Sequence, residues 1–412
     1  MTPSVRRIGL SLGADVCWPL CFEGLLDRLD LDLAIGSEQI RFEVDRVTIE
    51  PFDLRQPCRY DVVVDRLTHW YSTSREWIKK AVILDGLYVL NNPWSVQSME
   101  KQTSYCAMMR LGLPVPETWL VPPKQYDPSA DLERTLSSYA RLFDLGEVGR
   151  ALGYPMFMKP YDGGGWVGVS RIDSEEALRA AYEQSGKHVM HLQRAVEGWD
   201  RFVRSVGVGP QVLQVRYDPS APLHDRYVPG ASGVEPRDAR LLEDMTLVIN
   251  AFFGWDFNSC EALRDTSGWH LIDFANPCPD SQVTSLHWHF PWMVAAILRW
   301  SIYCAAVRRP MRLNLDWAPF FRIAAEGGTF EDRLARYAAL ARERLDADAF
   351  EAFCAQHLGH LDEVVWDFFG TDDAREAVRR KVEAMYPPHE VGEFTELFWQ
   401  RIQRWRDAQG AR

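Results

Sequence analysis

The 412 residues contain no C-x-x-C pair, no long apolar run and no N-terminal stretch built like a secretory leader. The eight cysteines are scattered along the chain, at 17, 21, 58, 106, 260, 278, 304 and 354. That pattern excludes a disulfide-stapled scaffold and a cysteine-rich zinc module, and it predicts a reduced, cytoplasmic protein with no membrane partner. Excess positive charge is also missing: 46 Lys and Arg stand against 58 Asp and Glu, a formal net charge of −12, which argues against nucleic acid as a partner. No stretch has the P-loop order, in which glycines precede a Lys-Ser or Lys-Thr pair. No Ser/His/Asp or Cys/His arrangement suggests a nucleophilic triad, and no internal repeat or low-complexity tract interrupts the chain. What remains is an ordinary globular composition, 47% hydrophobic and 25% charged, long enough for two or three domains.

The pattern along the chain predicts an α/β fold. RRIGLSLG (6–13) and YDVVVDRL (60–67) read as buried strands, and Phe22, Leu25, Leu26 and Leu29 lie at helical spacing between them. With LYVLNNP (87–93) they predict an N-terminal α/β domain over 1–95. In MEKQTSYCAMMRLGLP, Tyr105, Met108, Met109 and Leu111 predict a helix ended by Gly112 and Pro114. Residues 153–200 read as strand, glycine loop, strand, helix and strand, the helix capped by Asp173 or Ser174 and stopped by Gly186. Further strand pairs follow at 202–217 and 255–277. A central domain over 96–310 is expected, and 311–412 reads as a helical C-terminal extension.

Two stretches carry chemistry. In MFMKPYDGGGWVGVS, Lys159 comes before Gly163, Gly164 and Gly165, the reverse of the P-loop order. Glycines without Cβ atoms can bring backbone N–H groups close to anionic oxygens, so a phosphate-covering loop is expected. In DFNSCEALRDTSGWHLIDFANPCPD, a three-residue loop Thr266-Ser267-Gly268 would set Asp265 opposite Trp269, and therefore Glu261 opposite Asp273. Two facing carboxylates repel unless a cation lies between them, and with the Asn276 amide they make an oxygen-only set suited to magnesium. On that reading, converting either acid to its amide cuts turnover by orders of magnitude and leaves the protein folded, slightly more stable when no metal is bound. The His287-Trp288-His289 pair lacks the further ligands a zinc site needs and is expected to pack.

Lys101, Lys159 before its glycines, the strand HLQRAVEGWD, VRSVGVG, and Glu261 with Asp273 and Asn276 occur in an order that resembles the ATP-grasp superfamily, over roughly residues 60–290. The resemblance implies an ATP-grasp fold with an N-terminal α/β domain, a lid subdomain at about 153–200 and ATP held between two subdomains. Lys101 and Lys159 would contact the phosphates, and Gly163, Gly164 and Gly165 would form the lid. The segment Gln193, Arg194 to Val196 would be the hinge that reads adenine, and Asp200 would meet the ribose. Glu261, Asp273 and Asn276 would hold magnesium, as two ions, or manganese in its place. Arg204, Arg216 and Arg226 would serve the reacting groups.

The chain departs from the family pattern at two places. Arg194 stands where an acidic residue is common, and the acid precedes Asn276 by three positions rather than two, which a bulge would absorb. The implied activity is that of the glutathione-synthetase-like and ribosomal-protein-modifying ligases: joining a small-molecule or peptide carboxylate to an amine through an acylphosphate. A small-molecule kinase and a non-catalytic ATP-binding module are the alternatives, and a homodimer is left open.

Overall fold

The computed structural model describes residues 4–49, 51–68, 70–95, 101–140, 142–162 and 166–410. The chain forms two units that alternate along the sequence. One comprises residues 1–97, 202–260 and 277–412, the other 98–201 and 261–276. Residues 277–412 share the first unit with the N-terminal sheet.

The first unit opens with strands β1 (Ser4–Ser11), β2 (Leu33–Ile35), β3 (Glu38–Arg46), β4 (Val62–Asp65) and β5 (Tyr88–Leu90), in the order β2-β3-β1-β4-β5. All neighbours except β2 and β3 are parallel. Val62, Val63 and Val64 are fully buried, as expected of a central parallel strand covered on both faces. The helix Cys17–Leu29 buries Phe22, Leu25, Leu26 and Leu29, the residues whose spacing predicts it, and ends at Asp30 in the left-handed region (φ 42°). The helix Ser72–Asp85 packs Ile78, Ala81 and Val82 with Tyr60, Val63 and Val89.

In the second unit β6 (Thr118–Val121), β7 (Met156–Pro160), β8 (Ser170–Ile172) and β9 (Met190–Arg194) form an antiparallel sheet, ordered β6-β9-β7-β8. Its core joins Met156, Met158, Ile172, Met190 and Leu192 to Leu145, Leu152 and Leu178 from helices. Ser174 is the helix cap, its Oγ accepting from Ala177 N at 3.2 Å. The helix Lys101–Leu111 buries Tyr105, Met108 and Leu111 as its spacing predicts; Met109 is instead exposed, because it lies about 100° around the helix from Met108.

The remaining strands are β10 (Arg201–Val208), β11 (Gln211–Arg216), β12 (Phe257–Asp265) and β13 (Gly268–Asp273), ordered β11-β10-β12-β13. Gly209 in the β10–β11 turn has φ +55°, and a Cβ there would lie 2.4 Å from the Trp300 ring, so no other residue fits without a shift. Strand β12 is continuous but leaves the first unit after Cys260.

From Ala318 onward the described chain is helical, with Thr329 and Thr371 capping two of the helices. A groove of about 580 Å³ lies among Pro291, Trp292, Trp366 and Trp405, and none of the site residues expected from sequence lines it. Among the described residues, no helix is long and apolar enough to cross a membrane.

Candidate active site

The β12–β13 hairpin sets the carboxylates. Its turn has two residues, Thr266 and Ser267, rather than the expected three, so Asp265 pairs with Gly268 and Arg264 with Trp269. Asp265 Oδ1 explains the tighter turn: it accepts from Ser267 N (2.8 Å), Ser267 Oγ (2.7 Å) and Gly268 N (3.1 Å). That register alone would set Glu261 opposite Ile272. A bulge between Glu261 and Ala262 admits one extra residue on β13 and restores the Glu261–Asp273 pair. The expected pairing is therefore present, by a route that differs from the expected one at two places.

The bulge does more than correct the register. The carbonyl of Ile272, the residue it adds, accepts from Lys159 Nζ and from Tyr105 Oη, each at 3.0 Å. Lys159 Nζ also donates to Gln193 Oε1 at 2.7 Å, and the ammonium lies 5.4 Å from the centre of the Tyr105 ring. Lys101 Nζ lies 3.1 Å from Asp273 Oδ2. Two buried lysines thus converge, through Ile272 and Asp273, on the end of one strand.

Burial pulls the Lys159 pKa down to about 8, with Asp273 opposing the shift and Lys101 adding to it. His191, two residues before Gln193 on β9, is buried, and its Nε2 lies 2.9 Å from Gln102 Oε1. Burial first, then Lys159 and Lys101, bring its pKa to about 4, so it is neutral at pH 7. Tyr105, Gln102 and His191 were not singled out from sequence. The i, i+4 spacing of Lys101 and Tyr105 on one helix was the available signal.

The hinge segment is partly occupied by the sheet. Arg194 N donates to Glu117 O (2.9 Å) and Ala195 N to Pro155 O (3.2 Å), while Val196 follows two residues beyond β9. The Arg194 side chain points away from this chemistry and meets Glu117 at 2.8 Å in an exposed pair. Gln193 Nε2 donates to Thr118 Oγ1 at 2.9 Å, which fixes the amide that receives Lys159. Asp200 is gripped by Arg264, with Oδ1 and Oδ2 at 2.9 and 2.5 Å from Nε and Nη2. Gly163, Gly164 and Gly165 lie outside the described residues.

The oxygen set of Glu261, Asp273 and Asn276 suits a hard divalent cation, and Asn276 Nδ2 approaches Asp273 Oδ1 at 3.5 Å. Among the described residues no three His, Cys, Asp or Glu side chains come together in a metal-binding group, so any ion here relies on the amide or on ligand oxygens. The expectation that losing a carboxylate costs no stability needs correction. Asp273 already faces a cation, the Lys101 ammonium, and its removal would leave that charge buried.

The three arginines belong to the first unit. Arg204 lies on β10 with its guanidinium 4.8 Å from the Tyr217 ring centre and 5.4 Å from that of Tyr227, whose hydroxyl accepts from Nη1. Arg216 ends β11 and is exposed, and Arg226 Nε donates to Ala221 O at 3.1 Å. His287 and His289 pack as expected: both are buried, near the carbonyls of His224 (3.1 Å) and Val228 (2.9 Å), and burial brings their pKa values to about 3 and about 4.

No family model matches the chain. Over 184 residues it is 30% identical to the D-alanine–D-alanine ligase of Streptomyces griseus, a stretch that covers 41% of this chain and 44% of that protein. The chain therefore matches less than half the length of this curated relative. Among solved structures, the D-alanine–D-alanine ligase of Bacillus anthracis complexed with ATP superposes with a TM-score of 0.46 at 14% identity, covering 78% of this chain and all (100%) of that one. A RimK domain ATP-grasp protein from Sphaerobacter thermophilus gives 0.47 at 13% identity, covering 71% and 98%. Over part of its length the chain is thus similar to a D-alanine–D-alanine ligase, and Lys101, Lys159, Gln193, Glu261 and Asp273 fall within one unit.

Proposed function

We propose that the protein is an ATP- and magnesium-dependent ligase that joins a carboxylate to an amine. The observation that carries this reading is the convergence of two buried lysines on Asp273 and the Ile272 carbonyl, opposite Glu261. Buried cations held by neutral and anionic oxygens can exchange those partners for phosphate oxygens without reorganising, and this is how a protein contributes to phosphoryl transfer. Lys101 and Lys159 bind the phosphates, Gln193 keeps Lys159 in place, and the segment from Gln193 through Val196 meets the base, with Asp200 toward the ribose. Glu261, Asp273 and Asn276 would hold magnesium, which when bound neutralises phosphate charge.

The substrate carboxylate attacks the γ-phosphorus and ADP leaves. The amine then attacks the acyl carbon, expels inorganic phosphate and loses a proton. Arg204, Arg216 and Arg226 are assigned to anionic groups of the substrates. The sequence identity to a protein named D-alanine–D-alanine ligase supports carboxylate and amine substrates of small size.

The test is a screen of carboxylates with ATP, magnesium and hydroxylamine. A carboxylate-dependent hydroxamate, with one ADP formed per hydroxamate, is the expected result. ADP release with a phosphorylated alcohol and no hydroxamate would show a kinase instead.

A further inference from the structure

Away from the two lysines, the first unit holds a second buried group of charges. In its N-terminal sheet β1 has parallel neighbours on both sides. The helix after β1 leads toward β3, and the helix after β4 leads toward β5. The crevice beyond the carboxyl ends of β1 and β4 is therefore the topological switch point, where open α/β sheets receive ligands. Asp15 lies in the loop after β1, and Arg66 directly follows β4. Both side chains are more than nine-tenths buried, with 6% and 7% exposed.

One oxygen of Asp15 is fully engaged: Oδ1 accepts from Trp18 Nε1 (2.9 Å), Ser281 Oγ (3.1 Å) and Gln282 Nε2 (3.1 Å). Its Oδ2 stands 3.6 Å from Arg66 Nε, close enough to orient the guanidinium and too far for a hydrogen bond. Arg66 Nε and Nη1 consequently have no hydrogen-bond partner among the described residues, although the group is stacked over Phe257 at 5.6 Å. A buried guanidinium with unused donors is uncommon in a folded protein and marks a place for a missing acceptor.

A second cation arrives from far along the chain. Lys381, on the helix Asp372–Glu383, is buried, and its Nζ lies 3.4 Å from Ala14 O, beside Asp15. Burial lowers its pKa, while Asp15 and Asp280 act the other way; Asp280 also acts on Arg204. Asp65, the remaining carboxylate nearby, is turned into its own loop, where it accepts from Ser11 Oγ, Leu67 N and Thr68 N. Arg66 and Lys381 thus share the Asp15 carboxylate, and Lys381 also lies within reach of the Asp280 charge, in a protein whose net charge is −12.

We propose that the helix Asp372–Glu383 completes a carboxylate-binding subsite at the β1/β4 switch point, in which the unused donors of Arg66 take the ligand carboxylate and Lys381 neutralises it. Arginine suits this task because its fork of N–H donors matches the two carboxylate oxygens. The helical C-terminal segment then acquires a role: it supplies a recognition charge that the N-terminal sheet lacks. Its assignment to a ligase substrate rests on the function proposed above; the carboxylate site itself does not.

The two readings are separated by measuring binding without nucleotide. Glycine, both alanine enantiomers, acetate and succinate are compared with glycinamide, alaninamide, acetamide and succinamide, and with inorganic phosphate, by thermal shift and calorimetry. At least one carboxylate is expected to raise the melting temperature while its amide does not. Arg66→Ala and Lys381→Met should each weaken that carboxylate by about tenfold or more, as loss of a charge-assisted hydrogen bond does. The shift produced by ATP and magnesium, measured in parallel, should be the same in wild type and variants, which also shows that the variants fold. Should Arg66→Ala fail to fold, Arg66→Lys and Lys381→Met carry the test. Absence of any carboxylate effect, an effect unchanged in the variants, or phosphate binding in preference to every carboxylate would overturn the subsite. Loss of the ATP shift in the wild-type protein would instead count against the proposed function, with the carboxylate result still decisive for the subsite.

Discussion

The two groups of buried cations are built on opposite principles. In the second unit Lys159 donates to Gln193 and Ile272, and Lys101 faces Asp273, so both charges are held by protein oxygens. In the first unit Arg66 lies beside an aspartate whose nearer oxygen is out of hydrogen-bond range, and two of its nitrogens have no acceptor among the described residues. The first arrangement is satisfied without ligand, and on the function proposed above it exchanges those partners for phosphate oxygens. The second leaves donors unsatisfied until a ligand supplies oxygens, and unsatisfied buried donors cost stability. Removing a charge should therefore have opposite consequences in the two places.

The largest effect is expected at Lys159. Lys159→Ala should abolish the thermal shift given by ATP and magnesium and cut turnover by roughly 10²–10³-fold, the loss typical of one electrostatic group in a transition state. An undiminished shift would mean that the phosphates bind elsewhere. Asp273→Asn should reduce turnover similarly and, in the ligand-free protein, cost about 2 kcal/mol in urea unfolding, because the buried Lys101 ammonium loses its carboxylate. If that variant is as stable as wild type, the ion pair does not hold the site together.

The pH dependence sharpens the same contrast. Lys159 has its pKa lowered to about 8, below the ordinary lysine value of 10.5. The cost of burying its charge is present below pH 8 and is relieved as the pH rises toward 10.5, where the unfolded chain also loses the proton. Its contribution to stability therefore increases with pH over that window. Affinity for ATP and magnesium should move the other way, falling by about tenfold over the one to two units above pH 8 as the ammonium disappears. Calorimetry on wild type and Lys159→Arg checks this, since arginine does not titrate there.

Smaller effects belong to the other comparison partners. Arg66→Met should change ligand-free stability by less than about 1 kcal/mol, because Arg66 Nε and Nη1 have no hydrogen-bond partner among the described residues and Asp15 keeps its three hydrogen bonds and the nearby Lys381 charge. A loss as large as that of Asp273→Asn would erase the distinction drawn here. Arg194→Ala, which removes an exposed pair with Glu117, should alter stability and ATP affinity by no more than about 0.5 kcal/mol.

Much of this was legible in the amino-acid order. Apolar spacing marks the helix Cys17–Leu29 and the valine run marks β4 as a buried strand, because local periodicity acts within a few residues. The hairpin was legible in outcome but not in detail. Glu261 does face Asp273, yet the turn length depends on how Asp265 bonds its neighbours, and the bulge depends on Ile272 giving its carbonyl to Lys159 and Tyr105. Contacts between residues more than 100 positions apart leave no local signature.

The same limit separates what the sequence determined from what folding decided. The chain by itself specified many of its strands and amphipathic helices and the residue types at its candidate site, since these follow from side-chain size, charge and spacing. Only the tertiary structure decided which charges share an environment. It paired Lys101 with Asp273, depressed Lys159 by burying it, and brought Lys381 beside Ala14 across 367 positions, leaving Arg66 with donors to spare. Burial and proximity set the energy of a charge, and neither exists until distant segments pack.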